Sequence, residues 1–247
     1  MGDGPLLIER RSDRVVATLH RPDKRNAVDQ SMIDALHALC GELESDPRTL
    51  ILTGSGGTFA AGADIAQLRD RRAEDALRGI NATAFIRVNE LPMPVIAAID
   101  GYALGGGAEL AYAADIRIGS SSLKIGNPET GLGIIAAAGA TWRLREIVGD
   151  ARASELLLTG RVLDADEALA AGLISSIHAP EVLLSAAHAI ADRIAANDSV
   201  ATQYTKRALR APRDRHPAID GELQAELFES PEKERRMTAF LEKRTTR

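Results

Sequence analysis

Apolar residues follow two patterns along the first hundred positions, and each pattern predicts a different element. Short runs of mostly apolar residues, typical of buried strands, occur at 6–10, 14–20, 49–53 and 94–100. One segment between them has apolar residues every three or four positions, the spacing of a helix, and Asp29 is placed to cap it. Its apolar face comprises Met32, Ile33, Leu36, Leu39 and Leu43. Strands that alternate with helices favour an α/β core with a largely parallel sheet.

The rest of the chain predicts more helices and shorter strands. A helix is expected from Ala73 to Glu90, because the prolines that follow it stop a helix. Another is expected to start at Asp64, and a small-residue helix runs from Gly107 to Ala113. Short strands are predicted at 116–118, 123–125 and 174–177. From about residue 180 onward the pattern is all-helical, which indicates a separate helical lobe.

Composition narrows the classes of protein. The chain has 247 residues, 45% of them apolar, and a formal charge of −5, which argues against a general nucleic-acid binder. The single cysteine, Cys40, excludes an internal disulfide framework and sits in a helical pattern. No run of about 18 apolar residues occurs, so no membrane span is predicted. The N-terminal residues resemble no secretory or mitochondrial leader, and we expect a cytoplasmic protein.

Two glutamates occupy the least charged stretch. Glu109 and Glu129 lie between Ile96 and Leu144, where only seven of 49 residues are charged, against 26% for the whole chain. A carboxylate in apolar surroundings is costly to ionise, so its pKa rises. Two such groups that share one site are a natural acid/base pair. They are the first candidates for catalytic residues.

Other motifs carry less chemistry. Gly131-Leu-Gly-Ile-Ile-Ala matches the dinucleotide fingerprint, but it follows Asn-Pro-Glu-Thr rather than a strand, so no nicotinamide or flavin site is predicted. The five histidines are scattered, and none has the spacing of a metal site. No nucleophile elbow of a serine hydrolase occurs.

Two glycine-rich turns, Ala60-Ala-Gly-Ala-Asp-Ile and Leu104-Gly-Gly-Gly-Ala-Glu-Leu, each follow a strand and precede a helix. Backbone N–H groups at the start of a helix have no partner within it and carry partial positive charge. Two such turns that face one another can hold a single anionic oxygen, because glycine allows a ligand to approach the backbone. The alternative is that both are ordinary tight turns for close packing.

Taken in order, several segments resemble the enoyl-CoA hydratase/isomerase, or crotonase, superfamily. They are Thr18-Leu-His-Arg-Pro-Asp-Lys-Arg-Asn-Ala, Phe59-Ala-Ala-Gly-Ala-Asp-Ile, Asp100-Gly-Tyr-Ala-Leu-Gly-Gly-Gly-Ala-Glu-Leu, Ala114-Asp-Ile, Gly126-Asn-Pro-Glu, Leu144 and Phe240-Leu-Glu-Lys-Arg. The resemblance implies an α/β fold with a crotonase-like spiral of ββα units over residues 1–190. It also implies a C-terminal helical trimerisation region over residues 191–247. The expected assembly is a homotrimer or a dimer of trimers.

The resemblance also implies the chemistry. The substrate is an acyl-CoA thioester, whose oxygen is held by the backbone N–H groups of Ala63 and Gly106. Glu109 matches the glutamate that activates water for attack at C3, and Glu129 matches the one that exchanges a proton at C2. The expected reaction is reversible addition of water to a trans-2-enoyl-CoA, giving a 3-hydroxyacyl-CoA. No metal or redox cofactor is needed, and coenzyme A enters as part of the substrate.

Further substrate contacts are expected by position. Lys24 or Arg25 from the early Arg-Pro loop, and Lys243 near the C-terminus, match basic residues that bind the coenzyme A phosphates. For Lys24 and Arg25 a solvated turn is the alternative. The remaining expected substrate-binding residues are Ala61, Asp64, Ile65, Gly105, Gly133, Ala137, Trp142 and Phe240.

The chain also departs from the family pattern. Hydratases commonly have Pro-Gly-Ala-Gly-Gly-Thr-Gln-Arg-Leu where this chain has Ala136-Ala-Ala-Gly-Ala-Thr-Trp-Arg-Leu. Ala137 replaces a glycine close to the catalytic water, so it can narrow the acyl pocket or shift that water. Trp142 replaces a glutamine, and Arg235 and Arg236 replace a Glu-Gly pair.

Three hypotheses follow. The first is an enoyl-CoA hydratase that uses both glutamates. The second is an enoyl-CoA double-bond isomerase, which can work with Glu129 alone. The third, from another class, is a non-catalytic RNA- or acyl-CoA-binding protein of the same fold. For RNA, the available basic cluster outside the C-terminus is Arg69, Arg71 and Arg72.

Overall fold

A computed structural model describes residues 4–245, with side chains described as far as Glu242. Within that range two sheets are present. The larger has six strands in the order β1-β2-β3-β4-β6-β9, and the smaller has three in the order β5-β7-β8. The strands are β1 (Leu6–Arg10), β2 (Arg14–Leu19), β3 (Thr49–Gly54), β4 (Val95–Ile99), β5 (Tyr102–Leu104), β6 (Ile116–Ser120), β7 (Lys124–Gly126), β8 (Val162–Asp164) and β9 (Ile177–His178).

The larger sheet is parallel apart from its first pair. Strands β1 and β2 are antiparallel, whereas β2, β3, β4, β6 and β9 run parallel to their neighbours. Strand β4 is buried along its whole length, and β2 and β3 nearly so, because helices cover the sheet. The expected α/β core with a largely parallel sheet is confirmed.

Helices occupy most of the remaining chain. They are α1 (Gln30–Ser45), α2 (Ile65–Asp70), α3 (Ala73–Arg78), α4 (Ile80–Glu90), α5 (Gly106–Tyr112), α6 (Arg145–Val148), α7 (Asp150–Thr159), α8 (Ala165–Ala170), α9 (Pro180–Ala195), α10 (Ser199–Arg210), α11 (Ala218–Phe228) and α12 (Pro231–Thr245). The cap predicted for α1 is confirmed, since the Asp29 carboxylate accepts the Met32 N–H at 2.9 Å. The predicted apolar face of α1 is buried, together with Cys40.

Two predicted boundaries are wrong. The helix expected from Ala73 to Glu90 is divided into α3 and α4 at Gly79, whose positive φ of 60° ends the first helix. The strand expected at 174–177 overlaps β9 only at Ile177. The Ser175 N–H donates to Arg117 of β6 and the Ser176 carbonyl accepts from Gly119, but the paired register with β6 begins at Ile177. Short strands β5 and β8 were not predicted, since each is a three-residue segment defined by its pairing with β7, a contact between distant residues.

The chain divides into two compact units, Met1–Asp192 and Arg193–Arg247. The first contains both sheets. The second contains α10 to α12, with Asp198 capping α10 through the Ala201 N–H at 2.7 Å. Among the described residues, no helix combines the length and the apolar character needed to cross a membrane.

Candidate active site

Two left-handed glycines place two backbone donors at the same point. Gly62 and Gly105 have φ of 119° and 51°, and each is followed directly by a candidate donor, Ala63 and Gly106. A Cβ built on Gly106 would lie 3.5 Å from the Ala63 nitrogen, so the two N–H groups are neighbours. Neither N–H donates a backbone hydrogen bond to any described residue. A single oxygen atom can therefore accept from both.

The two turns are held together by strand-like pairing. The Ala60 N–H donates to the Tyr102 carbonyl, and the Leu104 N–H donates to the Ala60 carbonyl, both at 3.0 Å. The next turn of chain then packs very closely: a Cβ on Gly107 would come within 2.2 Å of the Ala60 oxygen. Only glycine allows helix α5 to start this close to the first turn. The third glycine of the motif is therefore a packing requirement.

Glu109 lies on α5, one turn after the donor Gly106. Its side chain is only 3% exposed, and its Oε1 accepts the N–H groups of Ala138 at 2.6 Å and Ala140 at 3.1 Å. Burial raises the pKa of this carboxyl from 4.5 to about 7, the Ala140 and Ala138 donors oppose the rise, and the charge of Glu129 adds to it. The carboxyl can therefore gain or lose a proton near neutral pH.

Glu129 opens the 3₁₀ turn Glu129–Leu132 directly after β7 and Pro128. The side chain is buried, its Oε1 accepts from the Asn127 amide at 3.3 Å, and its Oε2 has no hydrogen-bond partner among the described residues. Burial raises the pKa of this carboxyl as well. An unpaired, buried carboxyl oxygen is costly unless it carries a proton or meets a ligand.

Behind Glu129 lies a buried hydrogen-bond chain. The Tyr112 hydroxyl donates to Asn127 Oδ1 at 3.0 Å, and the Asn127 amide donates to Glu129 Oε1. Tyr112 lies three residues after Glu109 on α5, so one helix face supplies both groups. Because the hydroxyl occupies the amide oxygen, the NH₂ group is fixed toward Glu129. Tyr112 is thus a positioning residue for that carboxyl.

We expect Tyr112→Phe to lower kcat about 3- to 10-fold with little change in KM, because one neutral hydrogen bond orienting Glu129 is lost. Stopped-time assays of the variant with the substrate proposed below would measure both constants. Tyr102→Phe is the matched control, since that tyrosine is 47% exposed. A rise in KM with unchanged kcat would contradict the positioning role.

One cavity of about 530 Å³ contains both glutamates and both donors. The predicted site residues that line it are Ala61, Ala63, Ile65, Gly105, Gly106, Glu109, Glu129 and Ala137. A second cavity of about 250 Å³ also reaches Glu129 and is bordered by Ala136. Apolar side chains dominate both walls, as expected of a site for an organic acyl group.

A family model described as enoyl-CoA hydratase/isomerase matches residues 10–247. The chain belongs to this family. The short-chain-enoyl-CoA hydratase of Clostridium acetobutylicum is 38% identical over 248 residues, covering 97% of this chain and 95% of the relative. The crotonyl-CoA hydratase of Syntrophomonas wolfei is 36% identical, with the same coverage of each chain.

Solved structures of family members share the fold. The enoyl-CoA hydratase structure from Bacillus anthracis has a TM-score of 0.92 and 31% identity, and the match covers 97% of this chain and 96% of that one. The expected crotonase-like fold is thereby confirmed. In this chain, residues of both glycine turns and both glutamates line one cavity.

Several predicted contacts lie elsewhere. The Asp64 carboxylate caps α2 by accepting hydrogen bonds from the N–H groups of Ala66 and Gln67. It also forms an ion pair with Arg21 at 3.2 Å. The side chains of Lys24 and Arg25 are exposed, although the Arg25 carbonyl accepts the Ala61 N–H at 3.0 Å.

The other predicted contacts fall into three places. Gly133 and Trp142 are exposed and are not among the described residues that line either cavity. Phe240 is 61% exposed on α12 of the C-terminal unit. The side chain of Lys243 lies outside the described residues, so its role stays a prediction.

Some residues at the cavity were not singled out for it from the sequence. They are Arg71, Arg72 and Asn81 on the wall of the larger cavity, Asn127 on the wall of the smaller one, and Tyr112 buried behind Asn127. A signal for Asn81 does exist: it falls on the same face of α4 as Ala84, Phe85 and Val88, where an apolar residue is expected. Arg71 and Arg72 were considered only as a basic cluster for RNA, and both line the cavity.

Proposed function

We propose that the protein is an enoyl-CoA hydratase, a lyase that reversibly adds water to a trans-2-enoyl-CoA to give a 3-hydroxyacyl-CoA. The observation that carries this proposal is the pair of buried glutamates in one cavity with two unpaired backbone donors. Relatives at 36–38% identity that bear the names short-chain-enoyl-CoA hydratase and crotonyl-CoA hydratase support it.

The thioester oxygen accepts the N–H groups of Ala63 and Gly106. When a nucleophile adds to C3, electrons of the C2=C3 bond move toward this oxygen and an enolate develops. The two donors are fixed by Gly62 and Gly105 before the reaction starts, so they need no reorganisation as charge grows. One such donor contributes about 3–4 kcal/mol to lowering the barrier.

The two carboxyls divide the proton transfers. Glu109, whose Oε1 accepts two N–H groups, removes a proton from water as the water oxygen bonds to C3. Glu129, whose Oε2 has no donor among the described residues, delivers a proton to C2. Burial raises the pKa of Glu109 and the charge of Glu129 raises it further, so the titrations of the two carboxyls are coupled.

Binding and assembly complete the proposal. Lys24, Arg25 and Lys243 are proposed to contact the coenzyme A phosphates, and no metal or redox cofactor takes part in the steps above. A homotrimer or dimer of trimers in the cytoplasm is proposed. Exposed apolar side chains on α11 and α12, namely Phe228, Met237, Phe240 and Leu241, support association through the C-terminal unit.

The proposal is tested by mixing purified protein with short trans-2-enoyl-CoA thioesters and following loss of the conjugated thioester absorbance. We expect turnover, with a 3-hydroxyacyl-CoA as the product identified by mass. A protein with Glu109→Gln and Glu129→Gln together is the blank for contaminating activity. Absence of turnover above that blank at every chain length tried would reject hydration.

Double-bond isomerisation is the second candidate, because it needs a single carboxylate, and Glu129 lines the cavity with an Oε2 that has no hydrogen-bond partner among the described residues. A 3-enoyl-CoA that is converted to the 2-enoyl isomer without hydration would favour it. For RNA binding, no observation offers support: Arg69 pairs with Asp70 at 3.0 Å, and Arg71 and Arg72 line the cavity that holds the two glutamates.

A further inference from the structure

The cavity has a second polar region besides the glutamates. Arg71 and Arg72 link α2 to α3, and the extended backbone at both residues separates the two short helices. Gly79 then reverses the chain so that the start of α4 faces the linker. Arg71, Arg72 and Asn81 all line the cavity, within a wall that is otherwise largely apolar. Charged side chains in a largely apolar wall lose hydration when an apolar ligand binds, unless the ligand offers them a polar partner.

Asn81 is the buried part of this region. It is only 8% exposed and lies on the face of α4 whose other buried members are Ala84, Phe85 and Val88. Its Oδ1 accepts from Arg71 Nη2 at 3.1 Å. Its Nδ2 donates no hydrogen bond to any described residue, and it lies 3.5 Å from where a Cβ on Gly106 would be. This amide donor belongs to a residue that lines the cavity beside the thioester site, so it is available to a ligand oxygen.

Arg71 supplies the charge. Its guanidinium is half-buried, and no carboxylate lies within 4 Å of it among the residues that the structure describes. The one acid in this part of the cavity wall, Asp75, is already occupied by Arg78 and by the Arg72 N–H at 2.8 Å. The Asn81 bond uses one of the five guanidinium N–H groups. The Arg72 N–H lowers the pKa of Asp75 most and the charge of Arg71 also lowers it, but no Asp75 oxygen accepts a hydrogen bond from Arg71, so the remaining guanidinium N–H groups are available to a ligand in the cavity.

We propose that Arg71 and Asn81 bind a carboxylate on the acyl chain, so that the preferred substrates are 2-enoyl-CoA thioesters of dicarboxylic acids. This inference rests on the proposed hydratase function. An unbranched alkyl chain packed here would strip water from a guanidinium that no carboxylate contacts within 4 Å among the described residues, which is unfavourable. A carboxylate instead accepts charge-assisted hydrogen bonds from a planar fork that matches its geometry.

Two substrates of equal length test the proposal. They are the coenzyme A monothioester of trans-2-hexenedioic acid and trans-2-hexenoyl-CoA, which differ only in carboxylate against methyl at the chain end. We expect the protein to favour the first in kcat/KM. Arg71→Leu should lower kcat/KM for the dicarboxylic substrate about 10- to 100-fold, the value of a hydrogen bond to a charged group, and change hexenoyl-CoA less than about threefold.

Two variants serve as controls. Arg69→Leu removes an arginine from the same segment that is 78% exposed and paired with Asp70, and it should leave both substrates unchanged. Arg71→Lys keeps the charge without the fork and should recover part of the preference. Equal losses on both substrates with Arg71→Leu would overturn the inference, because they would place Arg71 on the coenzyme A moiety or in the fold. A wild-type preference for hexenoyl-CoA would overturn it as well.

A binding measurement separates this inference from the proposed function. Calorimetric titration with the saturated pair, adipoyl-CoA and hexanoyl-CoA, does not depend on turnover. Tighter binding of adipoyl-CoA that is lost in Arg71→Leu would uphold the carboxylate site even if no hydration occurs. Equal binding of both thioesters would reject the site even if hydration is observed.

Discussion

Glu109→Gln is expected to slow hydration of a 2-enoyl-CoA about 10²- to 10⁴-fold, the usual effect of removing a general acid or base. The amide oxygen can still accept the N–H groups of Ala138 and Ala140, so the local structure should persist. The amide cannot take a proton from water, and attack at C3 loses its base. Steady-state kinetics with a short trans-2-enoyl-CoA measure the loss directly.

Two companion variants define what that loss means. Glu129→Gln should also reduce hydration severely, whereas Glu146→Gln, at an exposed position on α6, should not. An isomerase would give a different result: Glu109→Gln would keep most of the activity on a 3-enoyl-CoA, and Glu129→Gln would lose it. Full activity in Glu109→Gln on both substrate classes would rule out the assigned base.

The same Glu109→Gln variant should be more stable than the wild type at pH 8. In the folded protein the pKa of Glu109 is raised to about 7 from 4.5, so the folded state disfavours the ionised form. The wild type therefore loses stability as pH rises from 4.5 through about 7, and the loss is complete above that window. Glutamine carries no such penalty, and the gain is at most about 3 kcal/mol.

Urea unfolding at pH 8 and at pH 5 measures this difference, which should be largest at pH 8 and shrink toward zero near pH 4.5. Activity and stability then change in opposite directions, as expected where a functional group is held in an unfavourable environment. A variant that is less stable than the wild type by the same amount at both values would show that the buried carboxyl stabilises the fold instead.

Local sequence patterns were enough to predict most of the fold. The helical spacing of apolar residues and the capping residue Asp29 predicted α1, since both signals lie within one short segment of sequence. They missed the break between α3 and α4, because Gly79 lies inside a continuous helical pattern and only its left-handed conformation ends the helix. The three-residue strand β5 was missed because it is defined by pairing with β7, a contact between distant residues.

The candidate site was predictable to a similar depth. The low-charge stretch singled out both glutamates, and the family resemblance named Ala63 and Gly106 as donors, because each depends on short motifs; all four line one cavity. The partners that orient those groups were not predictable. Tyr112 meets Asn127 across 15 residues, and Arg71 meets Asn81 only because Gly79 folds the chain back. Cavity-facing arginines and surface arginines look alike in a sequence.

Gly105→Ala should reduce kcat at least about 10²- to 10³-fold, comparable to losing one oxyanion donor. Gly105 has φ 51° and ψ −123°, a combination that residues with a Cβ rarely adopt. The added Cβ would lie 3.1 Å from Glu129 Oε1. Relief of either problem rotates the following peptide, which carries the Gly106 N–H, or displaces the Glu129 carboxyl. One methyl group therefore disturbs both the oxyanion donor and the proton donor.

Gly172 offers a control variant that has the backbone strain of a positive φ without a contact to Glu129. Gly172 also has a positive φ, 71°, but a Cβ there would meet nothing within 4 Å. Gly172→Ala should cost about 1 kcal/mol of stability from left-handed strain and leave kcat unchanged. If Gly105→Ala shows only a similar loss of stability with normal kcat, the Gly106 N–H does not stabilise the transition state. A large fall in kcat with a folded protein would instead tie the rate to the Gly105–Gly106 peptide and the Glu129 carboxyl beside it, because a Cβ at Gly172 meets nothing within 4 Å.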